Sequence, residues 1–274
     1  MQLILPLILF LFLAFPRMAA AQAEREVIVT VEGQPMRLLV SGTGAPTIVL
    51  EAGAGGDHGT WAAAQPQLAN LSRVVRYDRL GYGASGPSPR PRTAAVVVEQ
   101  LRAGLRAANI EPPYVLVGHS FGAAITRVYA SRYPTEVAAM VLVDPALENF
   151  YSRATVEQPQ SYLEQLEEEI SYSDQKASET VRREYLAYET SMLQVRVADL
   201  PAELPVVLLT ATEMELPPAL RQLWVDEQSR WAVRHRNVHQ ILVKCGHRIP
   251  QQQPESVTEA VRRVLASPSR KAGD

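Results

Sequence analysis

The sequence lacks the features that would indicate a disulfide, a structural metal or a nucleic-acid partner. It has one cysteine, Cys245, in 274 residues, which excludes an internal disulfide. Its five histidines are scattered and form no Cys/His cluster with zinc spacing. The 27 basic side chains are balanced by 29 acidic ones, and no basic face stands out. We therefore expect no metal and no nucleic-acid partner.

Long hydrophobic runs are also missing, except at the N-terminus. The segment from Leu3 to Phe15 is almost wholly apolar but short of the roughly 20 residues that a membrane span needs. A small-residue stretch follows, with A-x-A cleavage sites after Ala21 and after Ala23. No basic residue precedes the run, as one normally would. We expect residues 1–23 to be a signal peptide, the protein to be exported to the periplasm or beyond the cell, and no stable membrane span to remain after processing; an uncleaved anchor is the alternative.

Strand-like and helix-like patterns alternate along residues 24–267, ahead of a polar tail at 268–274. Two alternating segments around Gly33 predict a hairpin, and continuous apolar runs predict strands that are buried on both faces. These runs are Thr47–Leu50, Val74–Val75, Val115–Val117, Val141–Val143, Val206–Leu209 and Ile241–Val243. Helices are predicted at Thr93–Asn109, Ala123–Tyr133, Pro218–His235 and Glu255–Ala266. This alternation predicts a mostly parallel α/β sheet with right-handed crossovers.

Residues 148–200 interrupt the alternation. The segment is polar, rich in Glu and Tyr, and too long for an ordinary connection between two strands. Helical stretches are predicted at Tyr162–Ile170 and Glu179–Gln194. We interpret the segment as a helical cap inserted into a core made of residues 24–147 and 201–267; a solvated loop with two surface helices is the alternative.

The strongest chemical signal is Gly118-His119-Ser120-Phe121-Gly122. This G-x-S-x-G set directly follows a predicted strand and directly precedes a predicted helix. In that setting the serine occupies a strained turn, and its hydroxyl lies at the positive end of a helix. Ser120 is therefore the candidate nucleophile.

A serine hydroxyl is a weak nucleophile and needs a neighbouring base. His247 follows the last predicted strand and precedes the last helix, which places it at the same edge of the sheet as Ser120. His247 is therefore the candidate general base.

The acidic residue that orients this histidine is left open by the sequence. Its usual place in chain order is between the serine and the histidine. Glu213 and Glu215 lie in the loop after Val206–Leu209, and Asp144 directly follows Val141–Val143. We take Glu213 as the first choice, with Glu215 and Asp144 as alternatives; an Asp-Pro after a strand also commonly caps its own turn.

Two backbone N–H groups are needed to stabilise an oxyanion. By position, we expect them from Phe121, directly after the serine, and from Ala54, in the glycine-rich loop after Thr47–Leu50.

Taken in order, these segments resemble the α/β-hydrolase superfamily over about residues 25–266. The resemblance rests on Ile48–Gly53, Asp78–Gly86, Gly118–Gly122, Leu142–Pro145 and Gly246–Pro254. It implies an eight-stranded, mostly parallel sheet with a helical cap after the sixth strand, a Ser–acid–His triad and no cofactor. Two departures stand out: Ala52 occupies the place of a histidine in the oxyanion loop of many relatives, and the usual aspartate after the seventh strand is missing.

The expected activity is hydrolysis of a small ester-like substrate through an acyl-enzyme on Ser120. An exported aminopeptidase or lactone hydrolase could use the same residues, and Glu164, Glu167 and Glu168 could then hold a substrate amine. A catalytically silent binding protein of the same fold is a further alternative. The sequence leaves the oligomeric state open.

Overall fold

The apolar runs form a single eight-stranded sheet in a computed structural model, which describes residues 23–162, 164 and 179–267. The strands are β1 Arg25–Val31, β2 Gln34–Ser41, β3 Thr47–Glu51, β4 Val74–Tyr77, β5 Tyr114–His119, β6 Val137–Val143, β7 Val206–Ala211 and β8 Val238–Val243. Their spatial order is β1-β2-β4-β3-β5-β6-β7-β8. The N-terminal hairpin pairs antiparallel, β2 also pairs antiparallel with β4, and β3 to β8 run parallel. The predicted fold class is thus confirmed.

Helices cover both faces of this sheet. They are α1 Gln65–Ala69, α2 Ala94–Ala107, α3 Phe121–Arg132, α4 Phe150–Glu157, α5 Glu179–Leu186, α6 Tyr188–Arg196, α7 Pro218–Arg234, α8 Ile249–Gln252 and α9 Pro254–Ala266. Because successive strand residues point to opposite faces, Leu116 of β5 packs into one core layer and its neighbours Val115 and Val117 into the other. Leu101 of α2 shares the first layer, and Val261 of α9 shares the second. Burial on both faces explains why the central strands are continuous apolar runs.

The segment between β6 and β7 carries α4, α5 and α6, and we call residues 148–200 the inserted segment. The predicted helix Glu179–Gln194 is wrong in its continuity, because the chain breaks at Ala187 into two helices. Most of the predicted helix Tyr162–Ile170 lies outside the described residues.

The predicted leader at 1–23, apart from Ala23, and the tail at 268–274 also lie outside the described residues. Over the parts of the chain that are described, no helix is both long enough and apolar enough to span a membrane.

Candidate active site

The turn that carries Ser120 joins β5 to α3. Ser120 has a φ of 53°, a left-handed conformation that is uncommon for a residue with a side chain. Its amide donates to the carbonyl of Val143 at 3.0 Å, and its own carbonyl accepts from the amides of Ala123 at 3.1 Å and Ala146 at 3.2 Å. The neighbouring strand and helix therefore fix the strained turn, as its place in the G-x-S-x-G motif predicts.

Glycines on both sides of this turn allow close approach of the backbone. A Cβ atom on Gly122 would lie only 2.4 Å from the carbonyl oxygen of Glu51, and one on Gly118 only 2.6 Å from the carbonyl oxygen of Gly122. Contacts this short do not occur for real Cβ atoms. Steric demand at the turn thus explains both glycines of the motif.

His247 lies in the loop after β8, and its ring is oriented by a buried carboxylate. Its Nδ1 lies 2.6 Å from Oδ2 of Asp144, which follows β6. The Asp144 side chain is fully buried, whereas the His247 side chain keeps about a third of its surface exposed, at 31%. The imidazole therefore has one nitrogen held by the protein and stands at the edge of an open cavity.

The other carboxylate oxygen of Asp144 is held by three donors. Oδ1 accepts hydrogen bonds from the amide of Ala211 at 3.0 Å, Nε1 of Trp224 at 2.9 Å and Nε2 of Gln228 at 3.0 Å. A buried carboxylate is costly unless its oxygens are paired, and these three contacts, together with that of His247 to Oδ2, pair both oxygens. The buried Asp144 carboxylate is therefore fixed in place by hydrogen bonds to both of its oxygens.

The structure does not place Glu213, the first choice for the acidic residue, beside His247. The Glu213 side chain is half exposed, and its nearest charged partner is Lys244, with 3.8 Å between Oε1 and Nζ. Its amide is bound to the carbonyl of Cys245 at 2.9 Å, so the backbone turns and directs the side chain to solvent. Glu215 is also exposed, and it lines the cavity without a hydrogen bond to His247 among the described contacts. The structure places the third candidate, Asp144, beside the histidine.

Sequence reasoning missed Trp224 and Gln228, which stand one helical turn apart on α7. Their spacing of four residues places both side chains on one face of the helix. A tryptophan and a glutamine in that pattern, opposite an aspartate at a strand end, are the signal that could have favoured Asp144.

The glycine loop, Ala52–Gly56, packs against the turn that carries Ser120. A Cβ atom on Gly53 would lie 3.2 Å from Cβ of Ser120, so loop and nucleophile are in close contact. Ala54 and Phe121, the two expected amide donors, line the same cavity as Ser120 and His247. The structure thus brings all four of these residues together.

The buried side chain of Arg79 anchors this loop. Its guanidinium donates to the carbonyls of Ala52 and Gly53, both at 2.8 Å, and to Oε1 of Glu51 at 2.8 Å. Burial works against its charge, but the carboxylates around it outweigh this effect and raise the pKa of Arg79. A buried arginine therefore fixes the backbone of the loop.

Tyr77 completes that anchor by donating to the second oxygen of Glu51. Burial raises the pKa of Glu51 even though Arg79 and Tyr77 both favour its charged form. These residues lie behind the loop, away from the cavity.

The cavity above Ser120 measures about 1000 Å³. Eight aromatic residues contribute to its wall, and rings from the core and from the inserted segment contact one another edge to face. The aromatic residues of the wall are Tyr82, Phe121, Phe150, Tyr151, Tyr162, Tyr185, Tyr188 and Trp224.

One group of side chains could bring three metal ligands together among the described residues: Asp57, His58 and Asp78, within 4.8 Å. Asp78, however, accepts the amides of His58 and Ala84, both at 3.1 Å, and the His58 ring at 2.7 Å. Burial alone would raise the pKa of Asp78, but these hydrogen bonds lower it. These hydrogen bonds show that Asp78 links the loop that contains His58 to the loop that contains Ala84.

Comparison with known proteins agrees with this architecture. A family model described as the alpha/beta hydrolase fold matches residues 46–235. The chain is 42% identical over 106 residues to the uncharacterised protein YqjL of Bacillus subtilis, covering 39% of this chain and 42% of YqjL. It is 40% identical over 102 residues to the putative carbamate hydrolase RutD of Klebsiella pneumoniae, covering 37% of this chain and 38% of RutD. The chain thus spans less than half the length of these curated relatives.

Among solved structures, a serine hydrolase involved in carbazole degradation, the CarC enzyme, is similar to this chain. The TM-score is 0.60 at 20% identity, covering 89% of this chain and 99% of that one. A likeness at this identity shows the fold alone.

His119, the residue before Ser120, is expected to make the stability of the protein depend on pH. Its Nε2 donates to the carbonyl of His247 at 2.9 Å, so the neutral ring supports the loop that carries the base. Burial, and then the nearby His247, lower the pKa of His119 to about 3. In the unfolded chain a histidine protonates near pH 6.5. Between these values the unfolded state binds the extra proton, so the free energy of unfolding falls by about 1.4 kcal/mol for each unit by which the pH drops.

We expect His119→Gln to remove this component, because glutamine can donate to the same carbonyl but does not titrate. Urea unfolding of both proteins at intervals from pH 6.5 to pH 4 measures it. The stability advantage of the wild type over the variant should shrink steadily toward low pH. A difference that stays constant over this range would show that His119 is not held neutral.

Proposed function

Because the chain belongs to the α/β hydrolase fold family, we propose that it is an exported serine hydrolase that cleaves carboxylic esters through an acyl-enzyme on Ser120. The observation that carries the proposal is the pairing of His247 with the buried Asp144 at 2.6 Å, at the rim of the cavity that Ser120 also lines. A nucleophile, a base and an orienting acid then meet at one edge of the sheet.

The proposed reaction has two acyl-transfer steps. In the first, the Ser120 hydroxyl attacks the ester carbonyl while His247 takes its proton, and the alcohol leaves with that proton. In the second, His247 takes a proton from water as the water oxygen attacks the acyl carbon; the bond from this carbon to Oγ of Ser120 then breaks, the carboxylic acid leaves, and Oγ takes the proton back from His247. Each tetrahedral intermediate carries an oxyanion that the amides of Phe121 and Ala54 stabilise.

Asp144 supports both steps by fixing the histidine. With Nδ1 bonded to the carboxylate, the free nitrogen of His247 is Nε2, and the imidazolium that forms during each step is stabilised by a full negative charge. Burial of Asp144 keeps that charge close and unscreened.

The residue at position 120 and the cavity wall support ester cleavage over other chemistry of this fold. Haloalkane dehalogenases and epoxide hydrolases, which the chain resembles in fold, carry an aspartate as nucleophile, whereas a hydroxyl suits acyl transfer. The aromatic rings in the cavity wall support an apolar acyl or aryl group as part of the substrate.

We expect purified protein to hydrolyse p-nitrophenyl esters and Ser120→Ala to lose about 10⁵–10⁶-fold in kcat, because the acyl-enzyme cannot form. A series of acyl chain lengths measures the size of the pocket, and thermal unfolding of the variant serves as the control for folding. Activity that survives in a folded Ser120→Ala protein would exclude the proposed nucleophile. Hydrolysis of amino-acid anilides but not of esters would favour a peptidase instead.

The choice between the acids gives a separate prediction. We expect Asp144→Asn to lower kcat by about 10³–10⁴-fold, since an amide nitrogen facing Nδ1 would favour the wrong tautomer of His247. Glu213→Gln, the matched control, should stay within about twofold of the wild type because its side chain faces solvent. Steady-state kinetics on the same ester decides; a large loss in Glu213→Gln with little change in Asp144→Asn would reverse the assignment.

The apolar N-terminal run and the alanine-rich cleavage sites that follow it support the proposal that the protein is exported. Expression of the full chain in a bacterial host, followed by N-terminal sequencing of the periplasmic fraction, tests it. The mature protein should begin at Gln22 or Glu24. An intact N-terminus in the membrane fraction would indicate an uncleaved anchor, and one in the cytoplasm would exclude export.

A further inference from the structure

Helix α5 of the inserted segment buries a carboxylate and exposes the apolar side chain of Leu186. Glu184 is the one residue of Glu179–Leu186 that is buried, whereas Leu186 is 85% exposed. Glutamate is among the residues least often fully buried in proteins, and burial of its charge requires specific partners. A buried glutamate beside an exposed leucine indicates that the contacts of Glu184, rather than apolar packing, position this helix on the core.

Glu184 binds the glycine loop directly. Its Oε2 accepts the amide of Gly55 at 3.1 Å, which is the residue after the expected oxyanion donor Ala54. The same oxygen accepts from Tyr82 Oη at 2.8 Å and from Nη2 of Arg79 at 3.1 Å. A side chain of the inserted segment therefore holds the backbone next to the donor.

Glu184 also acts on the loop through Arg79. The nitrogen that reaches Glu184, Nη2, is the one that donates to the carbonyl of Gly53. On either side of Ala54, then, the Gly53 carbonyl is fixed by Arg79 and the Gly55 amide by Glu184. These two contacts hold the peptide group that contains the Ala54 N–H and the peptide group that follows it.

The charges in this cluster balance only when Glu184 is in place. Glu51 and Glu184 face Arg79, and Nη2 of Arg92 lies 3.6 Å from Oε1 of Glu184. All four side chains are at most 2% exposed. Removal of one carboxylate would leave an excess positive charge behind the loop, and a buried unpaired charge forces its surroundings to rearrange.

We propose that Glu184 is a positioning residue of the reaction: it completes the oxyanion hole by holding the glycine loop from the inserted segment. This inference rests on the proposed function, because it takes Ala54 as an oxyanion donor. It follows that the hole is fully formed only while Glu184 contacts the glycine loop and Arg79. A donor that is held for the oxyanion acts in the transition state and not on the bound ester, so Glu184 affects kcat more than KM.

The test compares Glu184→Gln with Arg183→Ala. Glutamine keeps the shape of the side chain and one acceptor but removes the charge that holds Arg79. Arg183, the neighbouring residue of α5, donates to the carbonyls of Ser88 at 2.9 Å and Arg90 at 2.8 Å, so its loss weakens docking of the helix without a contact to the glycine loop. The arginine variant is thus the matched control for docking alone.

With p-nitrophenyl butyrate we expect Glu184→Gln to lower kcat by about 10- to 100-fold, less than the 10²–10³-fold typical of complete loss of a donor, with KM within about twofold. Arg183→Ala should keep kcat within about threefold. An unchanged kcat in Glu184→Gln, or an equal fall in both variants, would overturn the proposal. Should Glu184→Gln fail to fold, Tyr82→Phe removes another partner of the same oxygen, and a kcat equal to the wild type would then overturn it.

Hydrogen exchange followed by mass spectrometry separates this proposal from the proposed function. The peptide covering residues 52–60 should exchange faster in Glu184→Gln than in the wild type or in Arg183→Ala. A wild type without esterase activity would defeat the proposed function, and the exchange result would still decide whether Glu184 holds the loop. Exchange that is unchanged in Glu184→Gln would overturn the positioning role whatever the activity.

Discussion

The site depends on one buried carboxylate. Asp144 accepts from a strand, from two side chains of α7 and from His247, and so ties three parts of the chain to the end of β6. An ion at this depth is stable only if all these donors are present together. The same requirement fixes the position of the histidine, because its ring supplies the last hydrogen bond.

A second buried cluster performs the corresponding task for the glycine loop. Arg79 holds two carbonyls of the loop, and acidic residues from β3 and from α5 hold Arg79. The two clusters hold different parts of the site: one orients the ring of His247, the proposed base, and the other holds the backbone of the proposed oxyanion hole. Neither uses a surface ion pair, whose contribution would be small and sensitive to salt.

The sequence predicted what depends on short segments and missed what depends on distant ones. Continuous apolar runs fixed the sheet, and the turn around Ser120 was legible because strand, glycines and helix lie within a few residues of it. The acidic residue could not be identified in this way, because Asp144 and Glu213 both follow strands. What distinguishes Asp144 is its hydrogen bond from Trp224, which lies 80 residues further along the chain. Glu184 gave no signal at all, because a glutamate in a polar helix normally faces solvent.

We propose that Ser120, His247 and Asp144 act as one unit beside two backbone amides. A crystal structure of the protein after reaction with an alkyl fluorophosphonate tests it most directly, since the adduct mimics the tetrahedral intermediate. We expect phosphorus bonded to Oγ of Ser120, a phosphonyl oxygen within hydrogen-bond distance of the amides of Phe121 and Ala54, and His247 still paired with Asp144. An unmodified Ser120 would show that this residue is not the nucleophile. An adduct whose oxygen faces away from both amides would show that Phe121 and Ala54 do not form the oxyanion hole.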